Sequence, residues 1–377
     1  LTLSSDWGDL RRWPDVEAAN LLAWDASDRL ILDEAGALVR EVGDVVVIGD
    51  RHGALTLGAL EAGASRVRVH QDGILGERAL LANAARRGLG RGESGMPFTH
   101  LPLDASLVDG ARLVLVQLPR SLDELDEIAQ LVAAHGHPDV RVVAGGRVKH
   151  MSRSMNDVLL QSFQTVSASL ARQKSRVLHA GRPRAGVTVT WPRRQHHDDV
   201  GLTLVAHGGV FAGTTVDIGT RLLLDHLSSM RTAERAIDLA CGNGVVASAL
   251  ALARPEVQVL ATDQSAAAVA SARATADANG FSDRVTVSRA DGLESELDSS
   301  AQLIILNPPF HVGAAVHTGL AERLFADAGR VLEPGGELWA VWNSPLNYRP
   351  ILDRVIGSTR QVERTSKFTV TSSRKRT

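Results

Sequence analysis

With one cysteine in 377 residues, Cys241, the chain has no means of building an internal disulfide framework or a cysteine-based zinc site. No apolar run approaches the roughly 20 residues that a membrane-spanning helix needs. The opening stretch, Leu1 to Asp15, has neither the basic nor the apolar region of a secretory signal. It begins without Met, so a few residues are expected to precede it. These absences predict a cytoplasmic protein with no membrane partner and no metal. Net charge is also scarce: a formal −2 gives no global attraction to nucleic acid, and any such binding must use local basic patches. Only four of the 41 basic residues are Lys (149, 174, 367 and 375). Arg suits bidentate phosphate contacts, although beside so much Ala and Gly the bias reads more readily as genome base composition.

The length suffices for two ordinary domains, each with its own core. Short β-rich runs alternate with helical patterns twice along the chain. The first series is Val45–Ile48, Arg66–His70, Leu113–Val116 and Val140–Val143; the second is Ala236–Leu239, Val257–Leu260, Leu303–Leu306 and Glu337–Trp342. This alternation predicts an α/β protein of two tandem Rossmann-like domains, residues 1–185 and 186–377, each a largely parallel sheet with helices on both faces. Val187–Trp191 and Leu202–His207 read as a hairpin opening the second domain, with Arg193–Asp199 as its polar loop.

The two series keep a nearly constant offset, the mark of an internal duplication. Gly53 pairs with Gly244 and Asp72 with Asp263, each 191 residues apart, and Gln117 with Asn307, 190 apart. The chemistry does not survive the copying. Val47 stands where the second half has Asp238, Arg51 where it has Gly242, and Gln117-Leu118-Pro119-Arg120 where it has Asn307-Pro308-Pro309-Phe310. The first domain is therefore expected to be degenerate and the second catalytic.

In the second half, Ile237-Asp238-Leu239-Ala240-Cys241-Gly242-Asn243-Gly244 reads as a strand turning tightly into a helix from about Val245 to Arg254. Glycines there let the backbone approach a ligand closely. Asp263, expected to end the next strand, is placed to accept hydrogen bonds from the ribose hydroxyls of an adenosine-containing cofactor. A dinucleotide would require a third glycine where Ala247 stands, and its pyrophosphate would be repelled by Asp238. A methionine-type ammonium would be attracted to that carboxylate.

The most informative segment is Leu303-Ile304-Ile305-Leu306-Asn307-Pro308-Pro309-Phe310. A buried strand delivers Asn307 at its carboxyl end, where doubly wound sheets bind ligands. The prolines hold the turn rigid and donate no N–H, so the surface is rich in acceptors, the Asn307 amide oxygen and the Pro308 carbonyl. That suits a target amino group with two hydrogens, whose nitrogen becomes nucleophilic once its lone pair is freed from the ring. Phe310 is placed to stack on the target base, a contact worth roughly 1–3 kcal/mol. Softer candidates are Asp291 against adenine, Asp217-Ile218-Gly219-Thr220 over the methionine end or as the cap of a helix beginning near Leu222, and His311 and Phe368 beside the substrate. The tail Ser373-Arg374-Lys375-Arg376 reads as a phosphate grip or a frayed end. In the first half Arg120 replaces Phe310, and Arg176 roughly replaces Phe368, which suggests that the relic substrate mouth binds phosphate.

With Asn307-Pro308-Pro309-Phe310-His311 beside a degenerate first half, the chain resembles the paired-domain guanine methyltransferases of ribosomal RNA, and among them the large-subunit methyltransferase G type. The similarity runs through Leu22–Asp28, Val116–Arg120, Val142–Gly146, Val216–Gly219 and Asp238–Gly244. Ala240 departs from the glycine usual in the cofactor loop. The resemblance implies a class I methyltransferase fold, S-adenosylmethionine as cofactor (leaving as S-adenosylhomocysteine), and methylation of a guanine 2-amino group in large-subunit rRNA by a monomer. It also implies a first half that serves RNA recognition or folding. The residues by themselves leave open small-subunit rRNA, a protein glutamine amide, and a non-catalytic RNA-binding assembly factor.

Overall fold

In residues 1–191 the β-branched runs form one seven-stranded sheet: Asp44–Ile48 (β1), Arg66–His70 (β2), Phe98–His100 (β3), Leu113–Gln117 (β4), Arg141–Arg147 (β5), Phe163–Ala168 (β6) and Ser175–Pro183 (β7). The strand order is β3-β2-β1-β4-β5-β7-β6; β3 to β5 are parallel, and β7 runs against both of its neighbours. This computed structural model describes residues 7–90, 95–309 and 317–376.

Residues 192–377 form the second unit. It opens with a two-stranded hairpin, Arg193–His197 (β8) against Leu202–Ala206 (β9). The hairpin strand is thus the polar segment expected to be a loop, not Val187–Trp191. Tertiary anchoring overrides the alternation: the Trp191 indole donates to Asp126 at 2.9 Å and the Thr190 N–H to Gln130 at 2.8 Å, which ties that stretch to the first unit.

The second sheet follows: Arg235–Leu239 (β10), Gln258–Asp263 (β11), Val285–Arg289 (β12), Ala301–Leu306 (β13), Leu332–Asn343 (β14), Gly357–Arg364 (β15) and Phe368–Lys375 (β16). Its order, β12-β11-β10-β13-β14-β16-β15, repeats that of the first sheet strand for strand, again with β16 antiparallel to both neighbours. The chain is two tandem Rossmann-like sheets. Along β13, Leu303 and Ile305 join one core cluster while Ile304 and Leu306 join the other, so both faces of the strand are covered. Each such side chain contributes roughly 1.5–3 kcal/mol of burial, which makes β13 a firm platform for whatever follows Leu306.

Two local expectations are corrected. The helix expected near Leu222 begins at Ile218, because the Asp217 carboxylate accepts the Gly219 and Thr220 N–H groups and caps it there. The basic tail is not frayed. Ser373 to Lys375 lie in β16, and Arg374, Lys375 and Arg376 donate to the carbonyls of Gly335, Leu332 and Asp353.

Candidate active site

The carboxyl ends of β10, β11 and β13 lie level, since Leu239 is in register with Thr262 on one side and Leu306 on the other. The chain therefore presents Ala240, Asp263 and Asn307 along one edge. That edge is where the strand order reverses, between β10 and β13, the place at which open α/β sheets bind ligands.

The loop after β10 turns through three left-handed residues: Ala240 at φ +58°, Gly242 at +53° and Gly244 at +77°. Their reasons differ. A Cβ at Gly242 would meet nothing within 4 Å, so its bare backbone borders open space, as a cradle for a ligand requires. A Cβ at Gly244 would stand 2.8 Å from the Cα and Cβ of Ala272, so that glycine serves helix packing. Ala240 holds the left-handed conformation with a side chain, at a cost of roughly 1–2 kcal/mol.

Acidic groups surround the loop. Asp263 accepts the Gly242 N–H at 3.1 Å and the Ser265 N–H at 2.9 Å, joining the end of β11 to the loop, while Ser265 caps the helix Ala266–Ala278. Asp238 is 4% exposed and accepts the Ala247 N–H at 3.0 Å. Burial, and secondarily the charge of Asp263, push its carboxyl up to about 7. Both oxygens of Asp291 are engaged by the Arg323 guanidinium, at 2.9 and 2.6 Å.

Asn307 follows β13 directly. Its Nδ2 donates to Thr220 Oγ1 at 2.9 Å and to Asp217 Oδ2 at 3.4 Å. Its Oδ1 is shielded from solvent and accepts no hydrogen bond among the described residues. Pro308 is buried and Pro309 exposed. The Phe368 ring lies over Gly219, 3.0 Å from where a Cβ there would sit, and packs partly into the core. The structure thus brings Asn307, Gly219, Thr220 and Phe368 together beside the loop. Phe310 and His311 lie outside the described residues.

Sequence reasoning missed Asn243 and Arg323. Asn243, buried between the two loop glycines, donates to the carbonyls of Gly213 (2.9 Å) and Thr215 (3.3 Å) and so ties the segment before the Asp217 helix to the loop after β10. Its place between Gly242 and Gly244 was a signal; its partners, some 30 residues back, were not.

The first unit keeps the frame of this site with different chemistry. Gly53 turns at φ +100° into its helix and packs on Leu80, 2.8 Å from an added Cβ. Val47 cannot bond the helix N-terminus as Asp238 does, and Asp50 has taken over, accepting the N–H groups of Gly53 and Thr56. Arg51 occupies the place of Gly242. Arg120 is exposed at the edge. Sheet register corrects the pairing of Arg176 with Phe368. Phe368 lies opposite Asn343 and Ser175 opposite Arg147, so the counterpart of Phe368 is the buried Ser175. Arg176 is one position off, which turns its side chain to the other face.

Residues 201–372 match the Methyltransferase small domain family, and residues 1–184 match the RLMG N-terminal domain family. The class defined by the fold and this edge is accordingly a methyltransferase, carried by the second of two duplicated units. The chain is 37% identical to the ribosomal RNA large subunit methyltransferase G of Streptomyces coelicolor, covering 98% of each chain, and 37% identical to that of Pseudomonas entomophila, covering 97% of each. It belongs to the ribosomal RNA large subunit methyltransferase G family. Among solved structures, the T. thermophilus 16S rRNA N2 G1207 methyltransferase, determined with AdoMet and guanosine, superposes with a TM-score of 0.72 at 20% identity over 91% of this chain and 92% of that one.

Proposed function

We propose that the second unit transfers a methyl group from S-adenosylmethionine to the 2-amino nitrogen of a guanine in large-subunit rRNA, with Asn307 and Pro308 accepting the amino hydrogens. The observation that carries this is Asn307 Oδ1, a shielded acceptor with no partner among the described residues, at the tip of a doubly buried strand. Leaving such an atom unsatisfied costs about 1–3 kcal/mol, and an amino N–H of the target would recover it.

The edge fits the cofactor. Gly242 offers an open backbone face, with Ala240 and Gly244 shaping the turn. Asp263 is held where ribose hydroxyls can share its carboxylate, which takes up to about four hydrogen bonds. Asp238 lies beneath as the partner for a cationic methionine end, a charge that would draw its carboxyl back to the ionised form. Gly219 and Thr220 close the methionine side, and Asp291 borders the adenine. When bound, S-adenosylmethionine supplies a sulfonium methyl open to in-line attack by a nitrogen lone pair.

The chain's own part is orientation. The target base leaves its stack, with Phe310 against its face and His311 and Phe368 beside it. Asn307 and Pro308 draw the two amino hydrogens into the acceptor plane, which frees the lone pair from the ring. The methylated nitrogen is acidic enough to lose its proton to water, so no dedicated base is required. In the first unit, Arg51 and Val47 have replaced the cofactor-facing residues. Its exposed edge gathers Arg120, Lys149 and Arg51, whose charges, after desolvation, lower the pKa of His150. This unit serves RNA recognition, with Arg120 on phosphate.

The test is incubation of the protein with methyl-tritiated cofactor and ribosomal RNA from cells lacking it. Label is expected in large-subunit RNA as a 2-amino-methylated guanine, and Asn307→Ala should lower turnover by roughly 10²–10³. Label in small-subunit RNA or in protein would overturn the substrate. Absence of S-adenosylmethionine binding by calorimetry would overturn the activity.

A further inference from the structure

We infer that Asp217 and Thr220 are positioning residues that lock the amide of Asn307 with its oxygen toward the target; this rests on the reading of Asn307 given above. The two ends of an asparagine amide have nearly the same shape, and which end faces the substrate decides whether the residue accepts or donates. A donor presented to an amino group would be useless. The choice is made behind Asn307. An ionised carboxylate only accepts, and Asp217 Oδ2 faces Nδ2 at 3.4 Å while being held by the N–H groups of Gly219 at 2.9 Å and Thr220 at 3.2 Å. Turning the amide over would set Oδ1 against that oxygen, lone pair to lone pair. The Thr220 hydroxyl, 2.9 Å from Nδ2, accepts or donates with equal ease, so it holds the amide in place while Asp217 selects its sense.

The first unit shows a similar lock with a hydroxyl set against the amide. The third residue of its capped helix, Asp28, accepts from Gln117 Nε2, as Thr220, third in its own helix, accepts from Asn307. There, however, the second helical residue is Ser27, whose hydroxyl donates to Asp25 and whose oxygen stands against both ends of the Gln117 amide, 3.1 Å from Nε2 and 3.2 Å from Oε1. Its counterpart in the second unit is Gly219, which has no side chain to offer. The glycine therefore leaves Asn307 Oδ1 clear of the hydroxyl that, in the first unit, stands against the equivalent atom.

The experiment compares Thr220→Val, Thr220→Ser, Asp217→Gly and Asn307→Ala in the full chain. Turnover is read on large-subunit rRNA from cells lacking the protein, alongside S-adenosylmethionine affinity by calorimetry and thermal unfolding. Replacing a capping residue by glycine costs only a few tenths of a kcal/mol, so Asp217→Gly keeps the helix start while removing the oxygen that faces Nδ2. Thr220→Val and Asp217→Gly should each lower kcat about tenfold, the value of one hydrogen bond. The KM for RNA should stay within about twofold in both, and so should the Kd for the cofactor in Asp217→Gly. Thr220→Ser should recover most of the loss, and Thr220→Val should add nothing in the Asn307→Ala background. Unchanged kcat in Thr220→Val and Asp217→Gly, failure of serine to rescue, or cofactor affinity falling in step with kcat in Asp217→Gly would overturn the positioning role. If Asn307→Ala itself retains turnover, the reading of Asn307 fails; if it loses turnover while Thr220→Val does not, only the positioning fails.

Discussion

At the scale of single residues, the turn from β10 into its helix carries two stored costs. Ala240 sits at φ +58° with a Cβ. Ala240→Gly should stabilise the second unit by about 1 kcal/mol, the relief of a left-handed alanine less the greater freedom of glycine in the unfolded chain. The urea midpoint of its transition checks this. Asp238 is the other. Its carboxyl, raised by burial from 3.8 to about 7, holds its proton more tightly folded than unfolded. Asp28 in the first unit is raised to about 7 as well, by burial first and then by the charge of Asp50. The stability these groups lend is complete below about pH 4 and is lost as pH rises through about 7. The cofactor-free protein should therefore weaken across that window. Asp238→Asn should flatten the second unit's share while weakening cofactor binding at pH 8; an unaltered pH profile in that variant would contradict the assignment.

At the scale of elements, the two glycines of the loop separate packing from binding. The helices Val245–Ala253 and Ala266–Ala278 approach so closely at Gly244 that a methyl there lands 2.8 Å from the Ala272 backbone. Gly244→Ala should cost about 2 kcal/mol or more through overpacking and backbone strain. Gly242→Ala meets open space and should cost only about 1 kcal/mol in stability. Its effect should appear instead as weaker cofactor affinity. Paired denaturation and calorimetry on the two variants would distinguish the roles, and equal effects on both readouts would refute the division.

For the molecule as a whole, duplication produced two sheets of one order and two sites of different chemistry. The first keeps the turn, the capped helix and the strand-tip amide, but spends each polar group internally: Asp50 on its helix N-terminus, Gln117 on Ser27 and Asp28. Its exposed edge carries Arg120, Lys149 and Arg51. Arg120→Glu should weaken rRNA binding and reduce the slope of log affinity against log salt by about one. An unchanged slope would remove Arg120 from the interface.

The amino-acid sequence by itself determined the strands, the repeat and the acceptor-rich tip at Asn307, because each is written in local periodicity, in a constant offset, or in consecutive residues with one chemical meaning. Tertiary structure decided how those pieces are used. The hairpin begins at Arg193 because Trp191 is anchored elsewhere. Ser175, not Arg176, stands opposite in register, and the sense of the Asn307 amide is chosen by a carboxylate 90 positions earlier. Hydrogen bonds spanning tens of residues leave no period in the chain; they exist only once the sheet has brought the strand ends level.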